Sequence, residues 1–200
     1  TAGAQDITVA DKVMPAISGT ATIIVNTGDS STVSSFKVSA TPTSIVAGGS
    51  VTVSVVAIDQ FGNTVTAYTG TVHFTSNDIQ AVLPVNSGLT NGVGTFTVYL
   101  RTVGMRTVTA TDMLYSSITG VSNGVSVNPG DASTVTHFTV SAPTSTTSGN
   151  AFSVTVTAKD AYANTIPSYL GSIHFSSTDT SSAVQLPGDY TFVGADSGSH

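Results

Sequence analysis

The stretch that decides the fold is residues 51–63, Val-Thr-Val-Ser-Val-Val-Ala-Ile-Asp-Gln-Phe-Gly-Asn. Its apolar residues fall on alternate positions, which is typical of a half-buried β-strand. The Asp-Gln-Phe-Gly-Asn end is typical of a turn, because Asp and Asn side chains bond to nearby backbone and glycine adopts a positive φ. The stretch therefore predicts a strand that ends in a tight turn.

The same stretch returns later in the chain, as residues 152–164, Phe-Ser-Val-Thr-Val-Thr-Ala-Lys-Asp-Ala-Tyr-Ala-Asn. Residues 68–76 likewise return as residues 169–177. The period of about 101 residues is too long for a solenoid and suits a string of separate domains. Because Ala163 replaces Gly62 in the second copy, we expect that a positive φ is not required at this position.

The alignment of the copies predicts the domain organisation. Residues 1–32 match the C-terminal strands of a preceding repeat, and residues 33–128 form one complete repeat. Residues 129–132 are a linker, and residues 133–200 match the N-terminal part of a following repeat. The chain is therefore interpreted as a window on a longer tandem array.

Both partial repeats are expected to leave strand edges open. The last piece should stop near the equivalent of Phe96, and the two pieces together should lack the counterpart of residues 97–101. Open edges are an aggregation hazard unless another strand pairs with them. We therefore expect a neighbouring segment, of the same long chain or of another copy, to complete each half.

Composition favours an all-β protein and excludes several function classes. Charged residues are only 8% of the chain, glutamate is absent, and Thr, Ser, Val and Gly replace the usual helix formers. The net charge of −6 provides no basic footprint for nucleic acid. Cysteine is absent, so disulfides and thiolate metal sites are excluded. No apolar run reaches the roughly 18 residues of a membrane span.

Seven strands are expected in the complete repeat, the number in an immunoglobulin-like sandwich. Each is marked by alternating apolar residues or by a short apolar run. They are centred on Phe36 and Val38; Val51–Ala57; Val72 and Phe74; Ala81–Leu83; Phe96–Leu100; Val108 and Ala110; and Val121–Val127.

A resemblance to a known group follows from these motifs. The pattern is Ala57-x-Asp59-x-Phe61-Gly62-Asn63, then Gly70-Thr71-Val72-x-Phe74, then Gly104-x-x-Thr107-Val108-x-Ala110-x-Asp112. It resembles the bacterial Ig-like repeats of the invasin and intimin type over essentially the whole chain. The resemblance implies tandem β-sandwiches arranged as a rod, at the cell surface or otherwise extracellular. It carries over no catalytic residues.

Three functions are compatible with such repeats. The first is a non-catalytic structural repeat of a cell-surface or filament-forming protein, whose partners are copies of itself or neighbouring repeats. The second is an adhesin or carbohydrate-binding module with a glycan contact, although Trp is absent and most aromatic residues fall on inward positions. The third is a spacer in a secreted multidomain hydrolase. No enzyme activity is predicted, because no catalytic motif appears.

Individual polar residues have plain structural interpretations. His73 and His174 alternate with inward residues and should point outward, one per repeat, which makes no ligand set. Tyr68 and Tyr169 are expected to pack at a corner with their hydroxyl groups hydrogen-bonded.

Calcium is the one specific site hypothesis. In a seven-strand sandwich the loops after the second and sixth strands share one pole, where the linker also enters. The hard oxygen ligands expected there suit Ca²⁺, which would stiffen the junction between repeats, although Asp is also an ordinary turn residue. The candidate ligands are Asp29, Asp59, Asn63 and Asp112, with Asp131, Asp160 and Asn164 rebuilding part of the site at the next junction.

Overall fold

The structure is a computed structural model that describes residues 1–26, 28–29 and 32–200. In these ranges the regular structure is β-strand, with two short 3-10 turns at Ala132–Thr134 and Gly194–Asp196, so the predicted all-β class is confirmed. The strands are β1 (Gly3–Ala10), β2 (Ser18–Val25), β3 (Ser35–Thr41), β4 (Ser44–Val46), β5 (Ser50–Ile58), β6 (Thr71–Ser76), β7 (Ser87–Gly88), β8 (Val93–Tyr99), β9 (Gly104–Arg106), β10 (Val108–Asp112), β11 (Thr119–Val121), β12 (Val125–Asn128), β13 (His137–Ser141), β14 (Thr155–Lys159), β15 (Ser172–Ile173) and β16 (Tyr190–Thr191).

Strands β3 to β12 enclose one hydrophobic core whose buried members run from Val33 to Val127. They form three small sheets, ordered β3-β5-β8, β11-β10-β6-β7 and β4-β12-β9. Strand β5 lies in the centre of its sheet and buries alternate side chains, as the sequence pattern predicted. On the opposite sheet Phe74 is buried, and the centres of the Phe74 and Phe96 rings lie 4.6 Å apart.

Two of the strand predictions for this repeat, Ala81–Leu83 and Val121–Val127, are wrong. Ala81–Leu83 forms no strand, because the Ala81 amide closes a turn on the Asp78 carbonyl and Pro84 has no amide to donate. Only Val82 pairs, as an isolated bridge to Tyr99. Strands β4, β7 and β9 were not predicted; each is only two or three residues long, too short to show alternation.

The predicted last strand, Val121–Val127, is two strands in two different sheets. The break lies at Ser122, whose hydroxyl oxygen accepts a hydrogen bond from the Val108 amide at 3.0 Å. The next residue, Asn123, binds the amide and the carbonyl of Ala40 through its side chain, at 2.8 and 3.1 Å. These side-chain bonds replace ladder bonds, so the chain bulges and crosses from one sheet to the other.

The first piece of the chain is a two-stranded hairpin, in which β1 pairs with β2 from Gly3↔Val25 to Ala10↔Ser18. Every residue of both strands is exposed. A lone two-stranded ribbon has no second layer with which to bury an apolar face.

The last piece has a small core of Val156, Ile173 and Phe192, with Tyr169, Phe175 and Tyr190 packed against it. His200 exchanges both backbone hydrogen bonds with Val156, as Gly94 pairs with Val55 in the complete repeat. His200 is therefore the counterpart of Gly94, two residues before the position near which the sequence predicted the stop. Phe152, the counterpart of the buried Val51, is 55% exposed, because β14 begins only at Thr155.

Candidate functional site: the junction between repeats

The loop Asp59–Asn63, which follows β5, is closed by its own first and last residues. Asp59 Oδ1 accepts hydrogen bonds from the Phe61 and Asn63 amides, both at 2.9 Å, and Asp59 Oδ2 accepts one from Asn63 Nδ2 at 2.9 Å. The hydrogen bond from the Asn63 side chain is the main cause that lowers the pKa of Asp59. The loop therefore holds Asn63 in one orientation, with its Oδ1 directed outward.

Asn63 uses that oxygen to bind the preceding piece of the chain. Asn63 Oδ1 accepts a hydrogen bond from the Ala2 amide at 2.8 Å, across 61 residues. Ala2 immediately precedes β1, so the loop after β5 is bonded to the start of the hairpin β1–β2.

The second junction repeats this contact with the same atoms. Asn164 Oδ1 accepts a hydrogen bond from the Val103 amide at 3.0 Å, again across 61 residues. Asn164 Nδ2 also donates to the Arg101 carbonyl and to Asp160 Oδ2, both at 2.8 Å. Asn164 is buried, so its carboxamide binds the backbone of Arg101 and Val103 in a site from which water is largely excluded.

The expectation that this loop does not need a positive φ is wrong. Gly62 has φ of 81° and Ala163 has φ of 62°, so both copies adopt the left-handed conformation at this position. A non-glycine residue pays about 1–2 kcal/mol for it. The second copy keeps the loop geometry, and hence the Asn164 contact, despite this cost.

Asp78 holds the segment that Asn164 binds. Its carboxylate accepts hydrogen bonds from the Arg101 amide at 2.6 Å and from the Thr102 amide and hydroxyl at 3.0 and 2.6 Å. It also accepts one from the Gln80 amide at 3.0 Å. Burial raises the pKa of Asp78, but these donors outweigh burial and the pKa lies below the ordinary value. Asp78 thus fixes the backbone groups that the next repeat binds.

Tyr162 adds side-chain packing to the second junction. The Arg101 guanidinium lies 5.2 Å from the centre of the Tyr162 ring, a cation–π contact. Gln80 Nε2 donates to the Tyr162 carbonyl at 2.9 Å. A Cβ on Gly48 would lie 2.6 Å from the Tyr162 hydroxyl, so only glycine allows the ring to sit there. Phe61, the counterpart of Tyr162, is 76% exposed.

Asp112, predicted as a calcium ligand, supports the corner where Tyr68 is buried. The Tyr68 hydroxyl donates to Asp112 Oδ2, and the Leu114 and Tyr115 amides donate to Oδ1 at 2.6 and 2.7 Å. Burial raises the pKa of Asp112, but the three hydrogen-bond donors outweigh burial, so the pKa lies below its ordinary value. Burial, followed by the hydrogen bond to Asp112, raises the pKa of Tyr68. Tyr68 is buried at this corner and its hydroxyl group is hydrogen-bonded, as the sequence predicted.

The linker aspartates lie in matching turns. Thr32 donates its amide and hydroxyl to the Asp29 carbonyl at 3.0 and 2.7 Å, and Thr134 does the same to Asp131 at 3.0 and 2.7 Å. Asp131 Oδ1 accepts from the Ser133 hydroxyl and amide, and the hydroxyl is the main cause that lowers the pKa of Asp131.

The calcium hypothesis stays a prediction. In the parts of the chain that the structure describes, no group of three or more Asp or His side chains comes close enough together to hold a metal ion. Asp59 lies with Asn63 and Asp160 with Asn164, as the hypothesis requires, but their carboxylate oxygens already accept hydrogen bonds. A bound Ca²⁺ would therefore have to displace these donors.

The histidines occupy exposed faces. His73 is exposed and its Nδ1 lies 2.9 Å from Asn86 Oδ1. His174 Nδ1 lies 2.6 Å from Asp189 Oδ1, and both side chains are largely exposed. No helix in the described ranges is long and apolar enough to cross a membrane.

The residues that sequence reasoning missed lie on the preceding repeat's side of the junction. They are Gly48, Asp78, Gln80, Arg101 and the Val103 amide. One signal was available: Asp78 recurs as Asp179, and both accept from the amide two residues later, at 3.0 and 2.9 Å. The Val103 amide and the Tyr162 carbonyl are backbone groups, which leave no mark in a sequence, and the Arg101–Tyr162 contact joins side chains that are distant in the sequence.

Comparisons with known proteins find that the chain is similar to segments of longer proteins. No family model matches the sequence, and no curated protein sequence matches it. FdeC, an Escherichia coli adhesin, matches 90% of this chain and 58% of its own length at 22% identity, with a TM-score of 0.46. Invasin, a bacterial integrin-binding protein, matches 87% of this chain and 36% of its own at 20% identity, with a TM-score of 0.42. A family 2 glycosyl hydrolase from Bacteroides cellulosilyticus matches 64% of this chain and 18% of its own at 20% identity, with a TM-score of 0.42.

Proposed function

We propose that this chain is part of a tandem array of Ig-like repeats and works as a stiff, non-catalytic structural element of an extracellular, cell-surface or filament protein. One observation carries the proposal: Asn63 and Asn164 make the same hydrogen bond to the preceding piece, across the same 61 residues. A contact that recurs at each boundary fixes the orientation of each unit relative to the one before it.

The chemistry of the second junction supports stiffness. Asn164 is buried and bonded to two backbone groups of the preceding repeat, and Tyr162 packs against Arg101 and Gly48. The linker of residues 129–132 is too short for free tumbling, and Pro129 restricts it further. We propose residues 33–128 as the complete unit, flanked by the end of one repeat (1–32) and the start of another (133–200).

Small-angle X-ray scattering tests this proposal on the 200-residue chain at several low concentrations, extrapolated to zero. A stiff array predicts one elongated shape whose maximum dimension is well defined. A scattering profile that requires an ensemble of compact and extended shapes would contradict it. The location is tested separately: antibodies raised against the chain should label intact source cells.

A cleft favours a second candidate, a binding module. It has a volume of about 780 Å³ and lies between Tyr68–Thr71 and the loop Asp112–Ile118. Leu114 and Tyr115 on this loop are 83% and 61% exposed, so an apolar edge and an aromatic ring are available to a sugar face. Binding to a glycan array that is lost in Tyr115→Ala and kept in Tyr99→Ala, another exposed tyrosine, would support this function.

A further inference from the structure

One histidine stands at the same place in both copies of the sequence motif. His73 lies on β6, directly after the buried Val72, and His174 follows β15, directly after the buried Ile173. Both imidazoles are exposed, because side chains alternate between the two faces of a sheet and the preceding residue faces the core. Each copy therefore presents one imidazole on the outer face of its sheet.

Each of these rings is hydrogen-bonded to the residue opposite it on the neighbouring strand. His73 Nδ1 lies 2.9 Å from Asn86 Oδ1, and the β6–β7 register places these two residues opposite each other. His174 Nδ1 lies 2.6 Å from Asp189 Oδ1, and the β15–β16 register places these two opposite each other as well. The partners are 13 residues apart in the first copy and 15 in the second. The pair is thus kept although the connecting segment is two residues longer.

The acceptors fix the tautomer of both rings. The oxygen of an amide or a carboxylate only accepts hydrogen bonds, so Nδ1 of each imidazole carries the proton. In the neutral ring the lone pair is then on Nε2. Neither His73 Nε2 nor His174 Nε2 has a hydrogen-bond partner among the residues that the structure describes. Each ring is therefore held in place with a free lone pair on the nitrogen that faces solvent.

This arrangement matches that of a metal-binding imidazole. A histidine that binds a metal through one ring nitrogen almost always donates its other N–H to a carboxylate, a carbonyl or water. That partner orients the ring and raises the basicity of the ligand nitrogen. Neutral imidazole suits Zn²⁺, Cu²⁺ and Ni²⁺, whereas Ca²⁺ and Mg²⁺ prefer oxygen ligands. The ligand class indicated is a divalent transition metal.

The exposure of these rings does not depend on the parts of the array that flank the chain. His73 has its strand neighbours on both sides, Thr111 on β10 and Asn86 next to β7, and it is still exposed. A further strand beside β15 would extend the sheet sideways and leave its outer face open. The side chains of His174 and Asp189 are 78% and 73% exposed.

We propose that His73 and His174 bind a divalent transition metal such as Zn²⁺ through Nε2, and that each ion is shared with an imidazole of a second copy. Zn²⁺ usually takes four ligands, and no group of three or more His or Asp side chains that could hold a metal occurs in the described ranges. One copy therefore leaves open positions on the ion. Because each copy carries two such rings, the first shared ion favours binding of the second. Shared ions join chains side by side, which adds lateral cross-linking to the stiffness proposed within one chain.

The two rings should differ in affinity. The partner of His174 is a carboxylate and that of His73 is a neutral amide, and the negative charge raises the basicity of the ring more. We therefore expect His174 to bind Zn²⁺ more tightly than His73, and Asp189→Ala to weaken zinc binding at His174 about tenfold. NMR of the imidazole resonances during a titration with ZnCl2 follows each ring separately. An unchanged zinc affinity in Asp189→Ala would overturn the role given to this pair.

Sedimentation velocity of the full chain with ZnCl2, and again after addition of a chelator, tests the shared site. We expect species heavier than the 20.1 kDa monomer to appear with zinc and to disappear with the chelator. The double variant His73→Ala/His174→Ala should stay monomeric, and it should fold because both side chains are exposed. His137→Ala is the matched control and should associate like the natural chain. His137 Nδ1 lies 3.0 Å from the Thr136 hydroxyl, which can donate as well as accept, so the tautomer of that ring is not fixed.

A parallel series with CaCl2 separates this site from the calcium hypothesis. We expect no association with Ca²⁺, because imidazole nitrogen is a poor ligand for a hard ion. Monomers at every zinc concentration, or zinc-dependent association of the double variant equal to that of the natural chain, would overturn the proposal.

Discussion

Asn164 and Val103 lie on opposite sides of the segment 129–132 and are joined by a hydrogen bond of 3.0 Å from the Val103 amide to Asn164 Oδ1. The equivalent pair, Asn63 and Ala2, has the same bond at 2.8 Å. Because the asparagine binds a backbone amide, the residue that donates can change from Ala to Val without loss of the contact. The junction depends on the Asp-x-x-x-Asn loop on one side and on the backbone path on the other.

Asp78 should be the most important polar residue for the stability of the complete repeat. Asp78→Ala leaves the Arg101 and Thr102 amides without their acceptor, and we expect a loss of roughly 2–4 kcal/mol in the free energy of unfolding. Asp179→Ala is the matched control: its residue is exposed, and we expect a change within about 0.5 kcal/mol. Urea unfolding measures both, and similar losses would contradict the role given to Asp78.

The left-handed residue of each loop gives a pair of opposite changes. Ala163→Gly removes the strain of a non-glycine residue at φ of 62°, so we expect the free energy of unfolding of residues 133–200 to rise by about 1 kcal/mol. Gly62→Ala introduces the same strain at φ of 81°, so the free energy of unfolding of residues 33–128 should fall by about 1–2 kcal/mol. Thermal unfolding of the two variants checks the signs. A destabilised Ala163→Gly would show that the methyl group contributes more than the backbone costs.

The fold could be predicted from the sequence where the pattern is long. Strand β5 alternates over nine residues and recurs one period later, so its existence and inward face were predictable. The two-residue strand β7 is too short to show alternation, and the break at Ser122 and Asn123 depends on side-chain hydrogen bonds between distant segments, which no local pattern reveals. The calcium hypothesis placed Asp59 and Asn63 in one site; their side chains are hydrogen-bonded to each other, and the hypothesis did not include the hydrogen bond from the Ala2 amide to Asn63 Oδ1.

Low pH should destabilise the protein through its hydrogen-bonded carboxylates. The pKa values of Asp59, Asp78 and Asp112 are all lowered in the folded chain, so the unfolded chain binds protons first as the pH falls. Their contribution to stability is complete above the ordinary Asp pKa of 3.8 and is lost progressively below it. We expect a sharp fall of the urea midpoint between about pH 4 and pH 2, and a shallower one in Asp78→Asn. A midpoint independent of pH in this range would contradict the carboxylate contacts.

Calcium is tested by thermal unfolding with Ca²⁺ or with a chelator. The hypothesis predicts a higher midpoint with Ca²⁺, and predicts that Asp59→Asn removes the difference, because a carboxylate binds the ion far better than an amide. Asp6→Asn, an exposed aspartate away from the junction, should keep the difference. An unchanged midpoint in the natural chain would leave the hydrogen bonds of Asp59 and Asn63 as the basis of the junction.

The most direct test of the stiff junction is a distance measurement across it by pulsed electron paramagnetic resonance. Spin labels on Thr75→Cys and Thr155→Cys lie on exposed strand positions of successive units, in a chain with no other cysteine. The account predicts one narrow distance distribution that broadens or shifts in Asn164→Ala and stays unchanged in Asn150→Ala, an exposed asparagine away from the contact. A broad distribution in the natural chain, or an Asn164→Ala variant indistinguishable from it, would contradict the claim that this side chain fixes one repeat on the next.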